Sequence, residues 1–205
     1  MIALPRLYAI ADAQFGNPVE IAGRLFEGGA RLVQVRNKTA GAGVLMRQVE
    51  EVLQIAPADG LVLVNDRVDV ARLSKAHGVH LGQDDLRIED ARAILGELSL
   101  VGFSTHNAEQ ALAADRLAVD YIAVGPIFHT NSKKNPDPVL GIDRLAQICR
   151  AVRKPIVAIG GITLEQSSEV YDAGAASIAV IGDLLRYQDV VERTRLWVRH
   201  SSCPV

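Results

Sequence analysis

Eight short apolar runs, separated by segments of helical spacing within about 200 residues, predict a single (β/α)8 TIM barrel of the α/β class. Two further observations agree. The runs are rich in Val, Ile and Leu with little polar alternation, as strands covered on both faces are. Polar residues also gather at the C-terminal end of nearly every run, where such barrels carry their sites. A doubly wound open sheet is the competing architecture. It normally uses fewer strands, and no GxGxxG follows the first run. Residues 1–205 read as one domain, with residues from about 200 to 205 a short tail.

The first run is LYAIA (7–11). The helical pattern VEIAGRLFEGG follows, with Gly28-Gly29 where a left-handed cap is wanted. The second run, LVQVR (32–36), leads to Gln34, Arg36 and Lys38. The third, LVLVN (61–65), ends in Asn65 and Asp66, ahead of RVDVARL. The fourth, GVHLG (78–82), leads to Gln83, Asp84 and Asp85, ahead of LRIEDARAIL. The fifth, LVGFST (100–105), ends in Ser104, Thr105 and His106, and Asn107 then opens the helical NAEQALAADRLA. The sixth, YIAVGP (121–126), runs into a polar, basic loop with Thr130, Ser132, Lys133 and Lys134. The seventh, PIVAIGG (155–161), ends in Gly160-Gly161-Ile162. SSEVYDAGA then closes on Gly174, a second cap glycine, before the eighth run, SIAVIG (177–182), which ends in Ile181-Gly182-Asp183.

Composition narrows the function. Apolar residues are 49% and charged residues 22%, as in a soluble globular domain, and the net charge of −2 offers no basic field for nucleic acid. No apolar run approaches a membrane span, and the first residues lack the pattern of a signal peptide. Cys149 and Cys203 have neither metal nor redox spacing, and read as free thiols of a cytoplasmic protein.

The strand ends suggest an anionic ligand. Gly160-Gly161-Ile162 and Ile181-Gly182 each precede a helix, where exposed N–H groups bind phosphate; the same glycines would serve as plain turns. Arg36 and Lys38 alternate onto one face, and Lys133 follows the hydroxyls of Thr130 and Ser132; a solvated loop is the alternative for the lysines. Asp66 and Asp85 end neighbouring strands and suit one Mg²⁺, or they cap the helices that follow. From Gly125 to Gly141 the sixth loop has the length of an active-site lid. No nucleophile stands beside a paired base. His106 fits either a packing role or acid/base chemistry.

LYAIAD, GGARLVQVRNK, VNDRVDVA, GVHLGQDDL, GFSTH, DYIAVGPIFHTNSKK and VAIGGI, in this order, resemble the thiamine phosphate synthase family, over nearly the whole chain. The resemblance implies a (β/α)8 barrel and an Mg²⁺-dependent transferase. The reaction joins 4-amino-5-hydroxymethyl-2-methylpyrimidine diphosphate to 4-methyl-5-(2-hydroxyethyl)thiazole phosphate, giving thiamine phosphate and pyrophosphate. It further implies Arg36 and Lys38 on the diphosphate, Gln34 near the pyrimidine, Asn65 in the substrate site, and Asp66 and Asp85 on Mg²⁺. Ser104 lies near the reacting centre, Thr130 and Ser132 at the thiazole phosphate, and Lys133 at the diphosphate. Gly160, Gly161 and Ile162, with Ile181 and Gly182, complete the thiazole phosphate site. Pyrophosphate leaves from a ring-stabilised methylene and the thiazole nitrogen attacks, so no protein nucleophile is needed. Family precedent also points to a homodimer.

The chain departs from the family at Gly182, usually Ser, at His129, usually Pro, at Asn135, usually acidic or Gly, and at Ala11, usually Thr. Two rival readings follow. A thiazole tautomerase shares the SxH of Ser104 and His106, but that branch tends to lose Asp66, Asp85, Arg36 and Lys133. A non-catalytic phosphate binder on the same barrel is the other.

Overall fold

The computed structural model describes residues 4–130 and 138–202. Eight parallel strands close into one barrel in chain order. They are β1 (Leu7–Asp12), β2 (Leu32–Arg36), β3 (Leu61–Asn65), β4 (Gly78–Leu81), β5 (Leu100–Thr105), β6 (Tyr121–Val124), β7 (Ile156–Ile159) and β8 (Ser177–Val180). The helices are α1 (Pro18–Glu27), α2 (Ala42–Ile55), α3 (Val68–Ser74), α4 (Ile88–Leu95), α5 (Ala108–Ala114), α6 (Gly141–Ala151), α7 (Ser167–Asp172), α8 (Gly182–Leu185) and α9 (Val190–Ser202). Eight helical segments are expected; nine are found among the described residues, because the four-residue α8 and then α9 both follow β8.

The aliphatic strands serve two cores. Outward residues such as Val33, Val35, Val62, Val64, Val79 and Val101 pack beneath the helices in one large apolar layer. Inward residues fill the barrel: Tyr8, Ile10, Leu32, Leu63, Leu100, Tyr121, Ala123, Val157 and Ala179. Size is traded across neighbouring strands. Gly102 pairs with Tyr121, and a Cβ on Gly102 would lie 2.0 Å from the Tyr121 ring. Glycine there leaves room for a buried phenol inside the barrel.

Several local expectations change. Gly28 is right-handed, with φ −71. It is Gly29 that takes φ +98, as Gly174 takes +104. Gly28 answers to packing instead, since a Cβ there would sit 2.4 Å from Thr194 Cβ. Helix α9 runs to Ser202, and Ser201 is buried with its Oγ donating to the Trp197 carbonyl. β1 extends to Asp12, which pairs in register with Arg36. Strands β6, β7 and β8 end before Gly125, Gly160 and Ile181, so these residues belong to the loops of the site.

Asn107 caps α5 as expected, its Oδ1 accepting from Gln110 N at 2.8 Å. Cys149 is half-buried, and burial pushes its thiol pKa up to about 11, which keeps it protonated near neutrality. Cys203 lies outside the described residues. Among those residues no helix is long and apolar enough to cross a membrane.

Candidate active site

A cavity of about 800 Å³ opens at the C-terminal ends of the strands. Gln34, Arg36, Lys38, Asn65, Asp66, Asp85, Ser104, Thr130, Gly160, Gly161, Ile162, Ile181 and Gly182 all line it. Alternation along parallel strands brings them together, because residues of the same parity point inward at the same height. Ser132, Lys133 and Lys134 lie outside the described residues, as does the middle of the sixth loop. The feet of that loop are held by the barrel. Ile127 N donates to Ile159 O at 3.0 Å and Leu140 N to Pro126 O at 2.9 Å.

The two cations of β2 each have a carboxylate. Arg36 pairs with the buried Asp12, and Asp12 also accepts from Gln14 N at 3.0 Å. The guanidinium is thereby aimed, and Asp12 is a positioning residue at the inner end of the site. Lys38 Nζ lies 3.2 Å from Asp66 Oδ2 and stays largely exposed.

Neither expected aspartate caps a helix. The N-caps of α3 and α4 are Arg67 and Arg87, without side-chain cap bonds. Asp66 is left-handed at φ 63, its N–H donating to the His80 carbonyl at 2.9 Å. Such a backbone costs a non-glycine residue about 1–2 kcal/mol, although Asp and Asn tolerate it better than most. The Asp85 carboxylate accepts from Gly82 N at 2.7 Å. Burial raises the Asp85 pKa; the Gly82 N–H opposes this, the charge of Asp66 and a hydrogen bond with it add to it, and Lys38 opposes. The carboxylates of Asp66 and Asp85 thus stand within hydrogen-bonding reach of each other. That donor set suits a hard divalent cation that keeps most of its waters. Among the described residues no group of three or more His, Cys, Asp or Glu is disposed to hold a metal.

At the opposite wall, Gly160 and Gly161 have φ +101 and +69. The sixth loop packs directly on them: a Cβ on Gly160 would be 2.6 Å from Pro126 Cα, and one on Gly161 2.3 Å from the His129 carbonyl oxygen. The glycines therefore make the turn and admit the neighbouring loop, besides lining the cavity. Next to them, Asp183 joins the two final loops. Its carboxylate accepts from Leu164 N at 3.3 Å, from Trp197 Nε1 at 2.7 Å and from Arg193 at 2.9 and 3.0 Å. One buried charge so fixes the turn after β7 and the start of α8 against α9.

Sequence reasoning missed Tyr8, Tyr121, Asp12 and Arg186, and read His80 only as a hydrogen-bonded packing residue. A phenol within each of two aliphatic runs was the available signal for the tyrosines, and His80 stood within a run already read as a strand. Arg186 gave no signal, because it lies a helical turn beyond its strand end. It lines the cavity with its guanidinium beside Gly182: a Cβ on Gly182 would be 3.6 Å from Arg186 Nε. His106 is oriented by backbone, Nδ1 donating to the Gly125 carbonyl at 2.9 Å.

Comparison with known proteins agrees with this geometry. The family model described as thiamine monophosphate synthase matches residues 7–184. A thiamine-phosphate synthase of Koribacter versatilis is 49% identical over 191 residues, covering 90% of each chain. Another from Anaeromyxobacter dehalogenans is 45% identical, covering 89% of this chain and 82% of its own. The solved thiamine phosphate pyrophosphorylase from Pyrococcus furiosus superposes with a TM-score of 0.88 at 34% identity, over 96% of this chain and 95% of its own.

Proposed function

We infer the chemistry of the cavity from one premise: the chain belongs to the thiamine monophosphate synthase family. It is a thiamine-phosphate synthase, a transferase that condenses the pyrimidine diphosphate with the thiazole phosphate to give thiamine phosphate and pyrophosphate. The observation that carries the assignment of roles is the distribution of polar groups around the cavity. Arg36, Lys38, Asp66 and Asp85 stand on one wall, and the glycine turns with Arg186 on the other.

In this reading Arg36 and Lys38 bind the diphosphate, joined by Lys133 from the sixth loop. Asp12 keeps the Arg36 fork in place, so little rearrangement is needed as charge builds on the leaving group. Asp66 and Asp85 would hold Mg²⁺. When bound, Mg²⁺ would neutralise charge on the diphosphate oxygens. Lys38, already beside Asp66, would turn toward the phosphate once its partner carboxylate is otherwise engaged. Gln34, Asn65 and Ser104 contact the pyrimidine end. Thr130 and Ser132, with the backbone of Gly160, Gly161, Ile162, Ile181 and Gly182, take the thiazole phosphate. A homodimer and a cytoplasmic setting belong to the same proposal.

The test is turnover of both substrates with and without Mg²⁺, with the carboxylated thiazole phosphate assayed alone in parallel. Thiamine phosphate and pyrophosphate should form in equal amounts, with a strong dependence on Mg²⁺. Isomerisation of the carboxylated compound without condensation would instead support a tautomerase, and binding without any product a non-catalytic barrel.

The Gly182 position gives a second expectation. Its φ is not among the positive values, and an added side chain would meet only Arg186 atoms at 3.6–3.9 Å, ordinary contact. Gly182→Ser should therefore fold normally. A hydroxyl donating to phosphate contributes about 1.5–3 kcal/mol, so calorimetry should show thiazole phosphate binding tightened by about tenfold or more. Weaker binding in a folded variant would mean that the Arg186 guanidinium already occupies the place of the hydroxyl.

A further inference from the structure

Five side chains from five strands form one continuous hydrogen-bond chain across the barrel interior. Gln34 Nε2 donates to the Tyr8 hydroxyl at 2.6 Å. The Tyr8 and Tyr121 hydroxyls are 3.0 Å apart. The Tyr121 hydroxyl is 2.9 Å from His80 Nδ1, and His80 Nε2 is 2.8 Å from Ser104 Oγ. The His80 and Tyr121 rings are stacked, with centroids 5.6 Å apart, which holds the middle of the chain rigid. Gln34 and Ser104, its two ends, line the cavity, as do Tyr8 and His80, whereas Tyr121 is fully buried behind them.

The donor sense of every link follows from the first. A phenol has a single hydrogen, and burial raises both tyrosine pKa values far above neutrality, so each keeps that hydrogen. Tyr8 accepts from Gln34, and so gives its hydrogen to Tyr121. Tyr121, already accepting, gives its own to His80 Nδ1. A neutral imidazole that accepts at Nδ1 carries its hydrogen on Nε2, and therefore donates to Ser104 Oγ. The Ser104 hydrogen is then available to the cavity. At the far end, Gln34 has turned its nitrogen toward Tyr8 and spent one of its two N–H groups there, which leaves Oε1 as its acceptor. Reversing any one link would reverse them all, because each member can supply only one hydrogen along the chain.

We propose that this chain fixes the polarity of the pyrimidine end of the cavity at two points together, Gln34 as acceptor and Ser104 as donor. Tyr8, Tyr121 and His80 are its positioning residues. The matching ligand is a heteroaromatic ring with an exocyclic amino donor facing Gln34 and an acceptor, a ring nitrogen or an ester oxygen of its diphosphate, facing Ser104. The proposal rests on the placement of the pyrimidine diphosphate given above. It adds that three further residues of the barrel interior decide which edge of the ring is accepted.

Two measurements test it. Nitrogen-15 NMR of the whole protein, with His80 assigned by comparison with a His80→Asn variant, should show a neutral ring with its hydrogen on Nε2. A hydrogen on Nδ1 overturns the stated polarity. The second is a kinetic cycle on Tyr121→Phe and Ser104→Ala. Tyr121→Phe keeps the ring that fills the space beside Gly102, so the barrel should remain folded. Losing one link of a neutral chain should reduce kcat/KM for the pyrimidine diphosphate by about 3- to 10-fold, with KM for the thiazole phosphate unchanged. In the Ser104→Ala background the same change should cost less, because the share of its effect that runs through Ser104 is already lost and only the share through Tyr8 and Gln34 remains. Effects that multiply would overturn the coupling while leaving Ser104 at the pyrimidine. Ser104→Ala with unaltered pyrimidine kinetics would overturn the placement of Ser104 itself, and the proposal with it.

Discussion

Asp66→Asn should reduce Mg²⁺-dependent turnover by about 10²- to 10³-fold, on the scale of losing one group that stabilises transition-state charge. Asn is the suitable replacement because Asp66 is left-handed, a backbone that Asn accepts; Asp66→Ala should show the same kinetic loss with about 1 kcal/mol of added instability. The loss has two sources. A carboxylate oxygen disappears from the pair with Asp85, and Lys38 loses the partner 3.2 Å away that holds it at the cavity wall. Calorimetric titration with Mg²⁺ alone should show weakened binding, independent of any assay of product. Near-normal turnover at limiting Mg²⁺ would show that the two aspartates do not share a metal.

The second large effect concerns stability. Asp183→Ala should destabilise the fold by about 3–5 kcal/mol, the usual result of removing one member of a buried ion pair. Arg193 is 7% exposed and would keep one carboxylate, that of Glu165, whose side chain is 68% exposed, besides the Tyr187 ring and the residue 183 carbonyl, while the buried Trp197 loses the acceptor of its indole N–H. For a chain of this size that corresponds to a melting temperature about 6–20 °C lower. Asp183→Asn, which still offers an oxygen to Trp197, should lose less. Urea denaturation of the three proteins provides the comparison. A change below about 1 kcal/mol for Asp183→Ala would mean that Arg193 regains solvent and that the network contributes little. The expected loss also bears on function, because Asp183 is what holds the turn after β7 to the start of α8.

Much of this was legible in the chain itself. Unalternating runs such as LVLVN and SIAVIG can be buried only where both faces are covered, and eight of them in sequence leave few architectures. The fold then converts a list of strand ends into a shared surface, which is why residues as far apart as Gln34 and Gly182 group together on sequence grounds alone. What was illegible concerned partners. Arg36 could be read as a free cation for a phosphate, yet its buried counterion Asp12 lies on another strand and becomes adjacent only in the register Asp12↔Arg36. Asp66 and Asp85 looked as much like helix caps as ligands, and the left-handed turn at Asp66 decided against the cap.

The sequence by itself determined the class of barrel, the face that carries the site and most of the residues on it, because strand periodicity and C-terminal placement are local properties that survive without coordinates. The tertiary structure alone decided how those residues are paired and oriented. The Gln34–Tyr8–Tyr121–His80–Ser104 chain draws on five strands, and Asp183 holds Leu164 of the turn after β7 together with Arg193 and Trp197 of α9. Hydrogen bonds form between groups about 3 Å apart, and closing the barrel is what brings such groups within that distance.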